Sequence, residues 1–105
     1  MGSHEFDKAK WQSFTIFEQM GNIGSEVGRA LSAKRRGDEV AMTGAFYRGL
    51  DLFDATAEKL VHDKSPRLKE VLRARDQFSQ AVLVADDPGL ETYFMEFAIV
   101  ARAGR

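Results

Sequence analysis

The sequence predicts an all-α fold, a four-helix antiparallel up-down bundle, and three observations predict it. Apolar residues recur at three- and four-residue intervals along four separate stretches, the period that stacks side chains on one helical face. Helix-starting and helix-stopping residues fall between those stretches and leave only a few residues per loop, so each helix must double back on its neighbour. No strand-like alternation and no Asn-Gly or Asp-Gly hairpin turn competes with this reading.

The four helices are predicted over about 15–36, 38–61, 66–84 and 88–103. The first opens at Thr15, whose spacing to Glu18 is that of a capping box. Phe17, Met20, Ile23, Val27 and Leu31 form its core stripe. Gly37 ends it after Lys34-Arg35-Arg36, cations that oppose the negative helix end. Asp38 caps the second helix, whose core side is Met42, Phe46, Gly49, Phe53, Thr56 and Leu60. Ser65-Pro66 opens the third, with Leu68, Val71, Leu72, Phe78 and Val82 inward. Asp87-Pro88 opens the fourth, which carries Leu90, Tyr93, Phe94, Phe97 and Ala101 on one side.

A chain of 105 residues, 44% hydrophobic and 30% charged, is one domain with enough apolar material for a core. Met1-Gly2-Ser3-His4-Glu5-Phe6 reads as a cloning scar, so residues 1–13 are assigned to that scar and a flexible terminus, and 14–105 to the helical domain. The net charge of −1, from 15 Lys and Arg against 16 Asp and Glu, supplies no global field for nucleic acid or an anionic membrane. No cysteine is present, which excludes disulfides, thiolate nucleophiles and zinc-thiolate sites. No apolar run approaches the roughly 20 residues that cross a bilayer, and no signal-like segment is visible, so a cytoplasmic protein without membrane contact is expected.

Asp51, Asp54, Glu58 and His62 share helical spacing, but Asp51, Glu58 and His62 fall opposite the core stripe, so a solvated face rather than a metal site is expected. No cofactor motif appears; Gly21-x-x-Gly24 lies within a helix instead of after a strand. Nucleophilic catalysis lacks both a thiol and an activated serine. Basic residues form two clusters, Lys34, Arg35 and Arg36 at one helix end and Arg67, Lys69, Arg73 and Arg75 on the third helix. These are the candidate nucleic-acid contacts, interspersed with Glu70 and Asp76. Arg75 falls inside the apolar stripe of its helix, where a buried guanidinium needs a partner. Glu26 and Gln19 are the candidate partners in a small-molecule site; the other reading has Arg75 snorkelling outward.

Beside the first core stripe runs a line of small residues, Gly21, Ser25, Gly28 and Ser32, in a helix where each Gly costs about 1 kcal/mol against Ala. Close packing within the bundle, a shallow ligand groove and a homodimer seam all account for it. Met95 and Ile99 lie away from the core face of the fourth helix and extend the dimer reading, since surplus exposed apolar area marks association.

The stretch Glu18-Gln19-Met20-Gly21-Asn22-Ile23-Gly24-Ser25-Glu26-Val27, with Ala30-Leu31, Gly37 and Ala45-Phe46-Tyr47-Arg48-Gly49-Leu50-Asp51-Leu52-Phe53-Asp54, resembles a widespread family of small prokaryotic proteins of uncharacterised activity. Tyr93-Phe94, Phe97-Ala98 and Ala101-Arg102 are similar to its C-terminal part. The resemblance covers most of residues 14–103, implies an all-helical fold and brings no catalytic residues. Helices one and two, with Gly37 and then Ala41, Ala45 and Phe46, are also similar to a tetratricopeptide pair, but the Trp-Leu-Gly-Tyr pattern and a second copy are missing. A helical nuclease of the toxin class would need Arg-x-x-x-x-His, and no arginine stands at that distance before His62. The sequence therefore leads to a cofactor-free interaction module that homodimerises or docks on another protein. Nucleic-acid association through the basic clusters, or a small-molecule site at Arg75, are the alternatives.

Overall fold

In a computed structural model that describes residues 7–103, all regular structure is helical: α1 (Lys8–Ser13), α2 (Ile16–Arg35), α3 (Glu39–His62), α4 (Leu68–Leu83) and α5 (Pro88–Ala103). The four expected helices are present, each within about two residues of its predicted bounds. The additional helix lies where a flexible terminus was expected, and the helical domain begins by Asp7 rather than at residue 14. Of the expected scar, residues 1–6 lie outside the described residues.

Local chemistry accounts for the helix ends. Thr15 and Glu18 close the capping box reciprocally, Thr15 N–H to Glu18 Oε1 at 2.9 Å and Glu18 N–H to Thr15 Oγ1 at 3.1 Å. Asp38 Oδ1 accepts from Ala41 N–H at 3.1 Å at the head of α3. Gly37, at φ 75°, ends α2 in a Schellman turn: its N–H reaches the Lys34 carbonyl and the Asp38 N–H reaches the Ala33 carbonyl. The end of α3 repeats the turn, with Ser65 N–H on the Leu60 carbonyl and Lys64 N–H on the Val61 carbonyl, but Lys64 holds the left-handed position at φ 54°. Ser65 and Pro66 lead into α4 two residues later than expected, through a turn in which Ser65 Oγ accepts from Arg67 N–H.

α2 occupies the centre and packs on α3, α4 and α5, while α3 also packs on α4 and α1. Paired positions give the directions. Gly21, Gly24 and Gly28 meet Ala98, Phe94 and Glu91 in turn, so α2 and α5 are antiparallel. Gly49 meets Phe78, and Asp54 meets Arg75, so α3 and α4 are antiparallel as well. Two of these contacts require glycine: a methyl at Gly24 would stand 2.7 Å from Phe94 Cβ, and one at Gly49 2.8 Å from Phe78 Cε2.

The interior is aromatic. Phe78 lies 5.2 Å from Phe46 and 6.0 Å from Phe53, and Phe53 lies 5.9 Å from Phe94, between ring centres. Met20, Ile23, Val27 and Leu31 fill the space between them from α2. On α4 the buried line is Val71, Ala74, Phe78, Ala81 and Val82. Leu72, expected inside, is 44% exposed, because one step of about 100° from Val71 carries it off that line.

α1 is held by side chains. Trp11 is buried, its Nε1 donates to Thr56 Oγ1 at 3.0 Å, and Gln12 Nε2 donates to the Ala55 carbonyl at 3.0 Å. Gln19, fully enclosed on α2, donates to the Trp11 carbonyl at 2.8 Å. Among the described residues no buried side-chain nitrogen or oxygen lacks a partner, which is what allows this junction to be buried.

Candidate functional site

The expected site around Arg75 does not assemble. Arg75 Nε donates to Asp54 Oδ1 at 2.8 Å, with its side chain about one-third exposed, while Glu26 serves α2 and α3 and Gln19 serves α1. The helical wheel placed Arg75 on the stripe correctly but left out Asp54 across the α3–α4 contact, and the guanidinium reaches that carboxylate at the edge of the core.

The basic clusters also disperse. Lys34 Nζ donates to the Ala81 carbonyl at 2.7 Å and so closes the C-terminal end of α4. Arg35 bridges Asp86 and Glu91, both at 2.8 Å. Those hydrogen bonds hold the Asp86 carboxyl below the usual range and push the Arg35 guanidinium up. Arg36 turns back to Ser32 Oγ and Asp38. Arg67 pairs with Glu70 at 3.0 Å and lies over the Phe17 ring at 5.3 Å. Lys69 and Arg73 are exposed on α4, about 12 and 8 residues, hence roughly 18 and 12 Å along the helix, from the carbonyl that Lys34 caps. The two clusters form no continuous basic surface. Asp51, Asp54, Glu58 and His62 are all exposed, and no group of three or more metal-binding side chains exists among the described residues. No helix among the described residues is long and apolar enough to cross a membrane.

What does assemble is the small-residue line. Gly21 packs directly on Ala98, with Cα 3.1 Å from where its methyl would stand, so part of the line serves close helix packing. Ser25 and Ser32 instead open outward as the floor of a surface furrow. Between α2 and α5 the furrow has two portions. One of about 330 Å³ is lined by Glu18, Asn22, Ser25, Ala101 and Arg102, and one of about 190 Å³ lies at Gly24, Ser25 and Met95. Between α2 and α3 a third portion of about 910 Å³ continues along Gly28, Ser32, Ala41 and Gly44. Ser25 lines all three, so they meet at that residue on α2.

Its lips carry apolar side chains and arginines. Met95, 59% exposed, stands on the α5 lip and Ile99, 51% exposed, lies one turn further on, both away from the core as the sequence predicted, and Val40 stands at 87% on the α3 lip. Glu26, mostly covered, holds Arg29 at 3.2 Å and Arg48 at 3.3 Å, so two guanidinium groups share one carboxylate at the furrow's α3 side. Arg29, Arg48, Val40 and Gly44 were missed by sequence reasoning. Gly44 stands on the outward side of α3, and an unforced helical glycine there was the available signal.

The class these features define is an all-helical domain with one long face left open by small residues. No family model matches the chain, and no curated protein or solved structure matches it either.

Proposed function

We propose that the chain is a non-enzymatic protein-interaction module whose docking face is the furrow along α2 with its α5 lip, and that it works in the prokaryotic cytoplasm with the family it resembles. In this reading the four long helices act as a bundle of up-down type, built to hold α2 and α5 side by side. One observation carries it: exposed Met95 lines the furrow beside exposed Ser25, and Ile99, exposed as well, follows one helical turn on. Single exposed apolar residues are ordinary, but two on one helical turn beside an unfilled groove give a surface that a helix covers. Ser25 and Ser32 are the exposed small residues of that floor, while Gly21 and Gly24 are already covered by Ala98 and Phe94.

The test is photo-crosslinking from single positions in extract of the native cells. A crosslinker at Ser25 or Asn22 is expected to give protein adducts, whereas one at Asp51 or Gln77, exposed on the outer faces of α3 and α4, is not. Adducts equally frequent at all four positions, or none at Ser25 and Asn22, would contradict the reading.

A further inference from the structure

We infer that the occupant of the furrow is a second copy of this chain, seated so that the α5 lip of each copy lies in the α2–α5 part of the other's furrow. The inference rests on the docking face proposed above and adds the partner and its register. An isologous pair needs a surface that carries both a projection and its complement. Here the two are adjacent: the ridge of Met95 and Ile99 runs alongside the depression floored by Gly21, Asn22 and Ser25. Apposing two α2 furrows would join concave to concave and leave both unfilled. Turning one copy about a two-fold axis parallel to the helices instead brings each ridge over the other's furrow.

That axis leaves no freedom in register, because rotation about it keeps every residue at its own height. Within one chain Ala98 is level with Gly21, Phe94 with Gly24 and Glu91 with Gly28. Across the two-fold, each copy's Met95 therefore comes level with Gly24 of the other, about one residue from its Ser25. Ile99 falls within a residue of Gly21, and Arg102 falls within a residue of Glu18. The apolar ridge thus meets Asn22 and Ser25, the exposed α2 residues at that height, beside glycines that the chain's own α5 already covers. At the end of the furrow the cation of each copy comes level with the anion of the other, as the two already do along the furrow of a single chain. Both have capacity to spare. Glu18 uses Oε1 in the capping box, and Arg102 makes no ion pair among the described residues. Charge complementarity of this kind sets orientation and suppresses alternative arrangements.

The absence of cysteine makes a disulfide test clean. Chains carrying Ser25→Cys are mixed with chains of distinguishable mass carrying Met95→Cys, and allowed to oxidise. Both positions are exposed, so neither substitution disturbs the core. A disulfide requires Cβ atoms about 4 Å apart, and the mixed Ser25–Met95 product is expected to dominate, at least tenfold over the background from an Asp51→Cys partner. If only like-with-like products form, copies associate through the same face in another arrangement; this register is overturned while the docking face stands. If no product exceeds the Asp51→Cys background, a second copy is not the occupant, and the photo-crosslinking experiment decides separately whether the face docks anything.

Discussion

Lys64 shows how a single residue can hold a helix end at a cost. It occupies the left-handed position of the Schellman turn after α3, φ 54°, where a side chain is disfavoured by about 1 kcal/mol or more and glycine is not. Gly37 holds the matching position after α2. Lys64→Gly should therefore raise stability by about 0.5–1 kcal/mol, less the extra freedom glycine gives the unfolded chain; urea unfolding measures it, and a lower midpoint would refute the account of this turn. Tyr93 offers a second test. Its hydroxyl, partly buried, donates to Glu70 Oε2 at 3.0 Å, and desolvation first, then that carboxylate, push the phenol's pKa up. A raised value means the folded state favours the neutral form, so the contribution is complete below the unfolded phenol's pKa of about 10 and is lost as pH rises above it. The expected result is that wild type loses more stability than Tyr93→Phe between pH 8 and pH 11. Equal losses would show that the hydroxyl is not coupled to folding.

At the scale of elements, α1 is the instructive case. Thr15 and Glu18 announced a helix start, and that strong local signal drew the domain boundary to the wrong side of Trp11. Nothing within Lys8–Ser13 makes a six-residue helix stable alone. Its order comes from Thr56 and Ala55, more than 40 positions away in the chain, which no local pattern reveals. The helices whose periodicity was long enough to count, α2 and α3 above all, were legible because burial repeats along them. The pairing of Arg75 with Glu26 or Gln19 failed for the same reason as α1, because its partner Asp54 comes from the contact of two helices and a wheel describes only one. The outward-snorkelling reading agrees with its one-third exposure. Trp11 is the chain's one tryptophan, so its fluorescence reports α1 directly. Unfolding followed by Trp11 emission and by helical circular dichroism should coincide, because Trp11 shares its hydrogen bonds with buried Gln19 and Thr56. Trp11→Ala should cost about 3 kcal/mol or more. An emission change well before the helical transition would show that α1 is a detachable appendage.

For the molecule as a whole, the interior and the open face follow from one division of α2. Its buried side, Met20, Ile23, Val27 and Leu31, fastens the other helices around it. Its outward side is kept low by Ser25 and Ser32, which stand exposed, while Gly21 and Gly24 let α5 pack closely beside them. The sequence made both sides visible, together with Met95 and Ile99. It did not show that α3 adds Val40, Gly44 and Arg48 to the far side of the same furrow, since that depends on how two helices rotate against each other. Nor did it show that most of the basic residues are already spent on carboxylates and carbonyls. The most direct test of the central claim, that this face is the seat of a second copy, is the solution mass of the purified chain by light scattering at high micromolar concentration. The account predicts twice the chain mass for wild type and a single chain mass for Met95→Glu, with unchanged helical content in both. A wild-type chain that remains monomeric would contradict it.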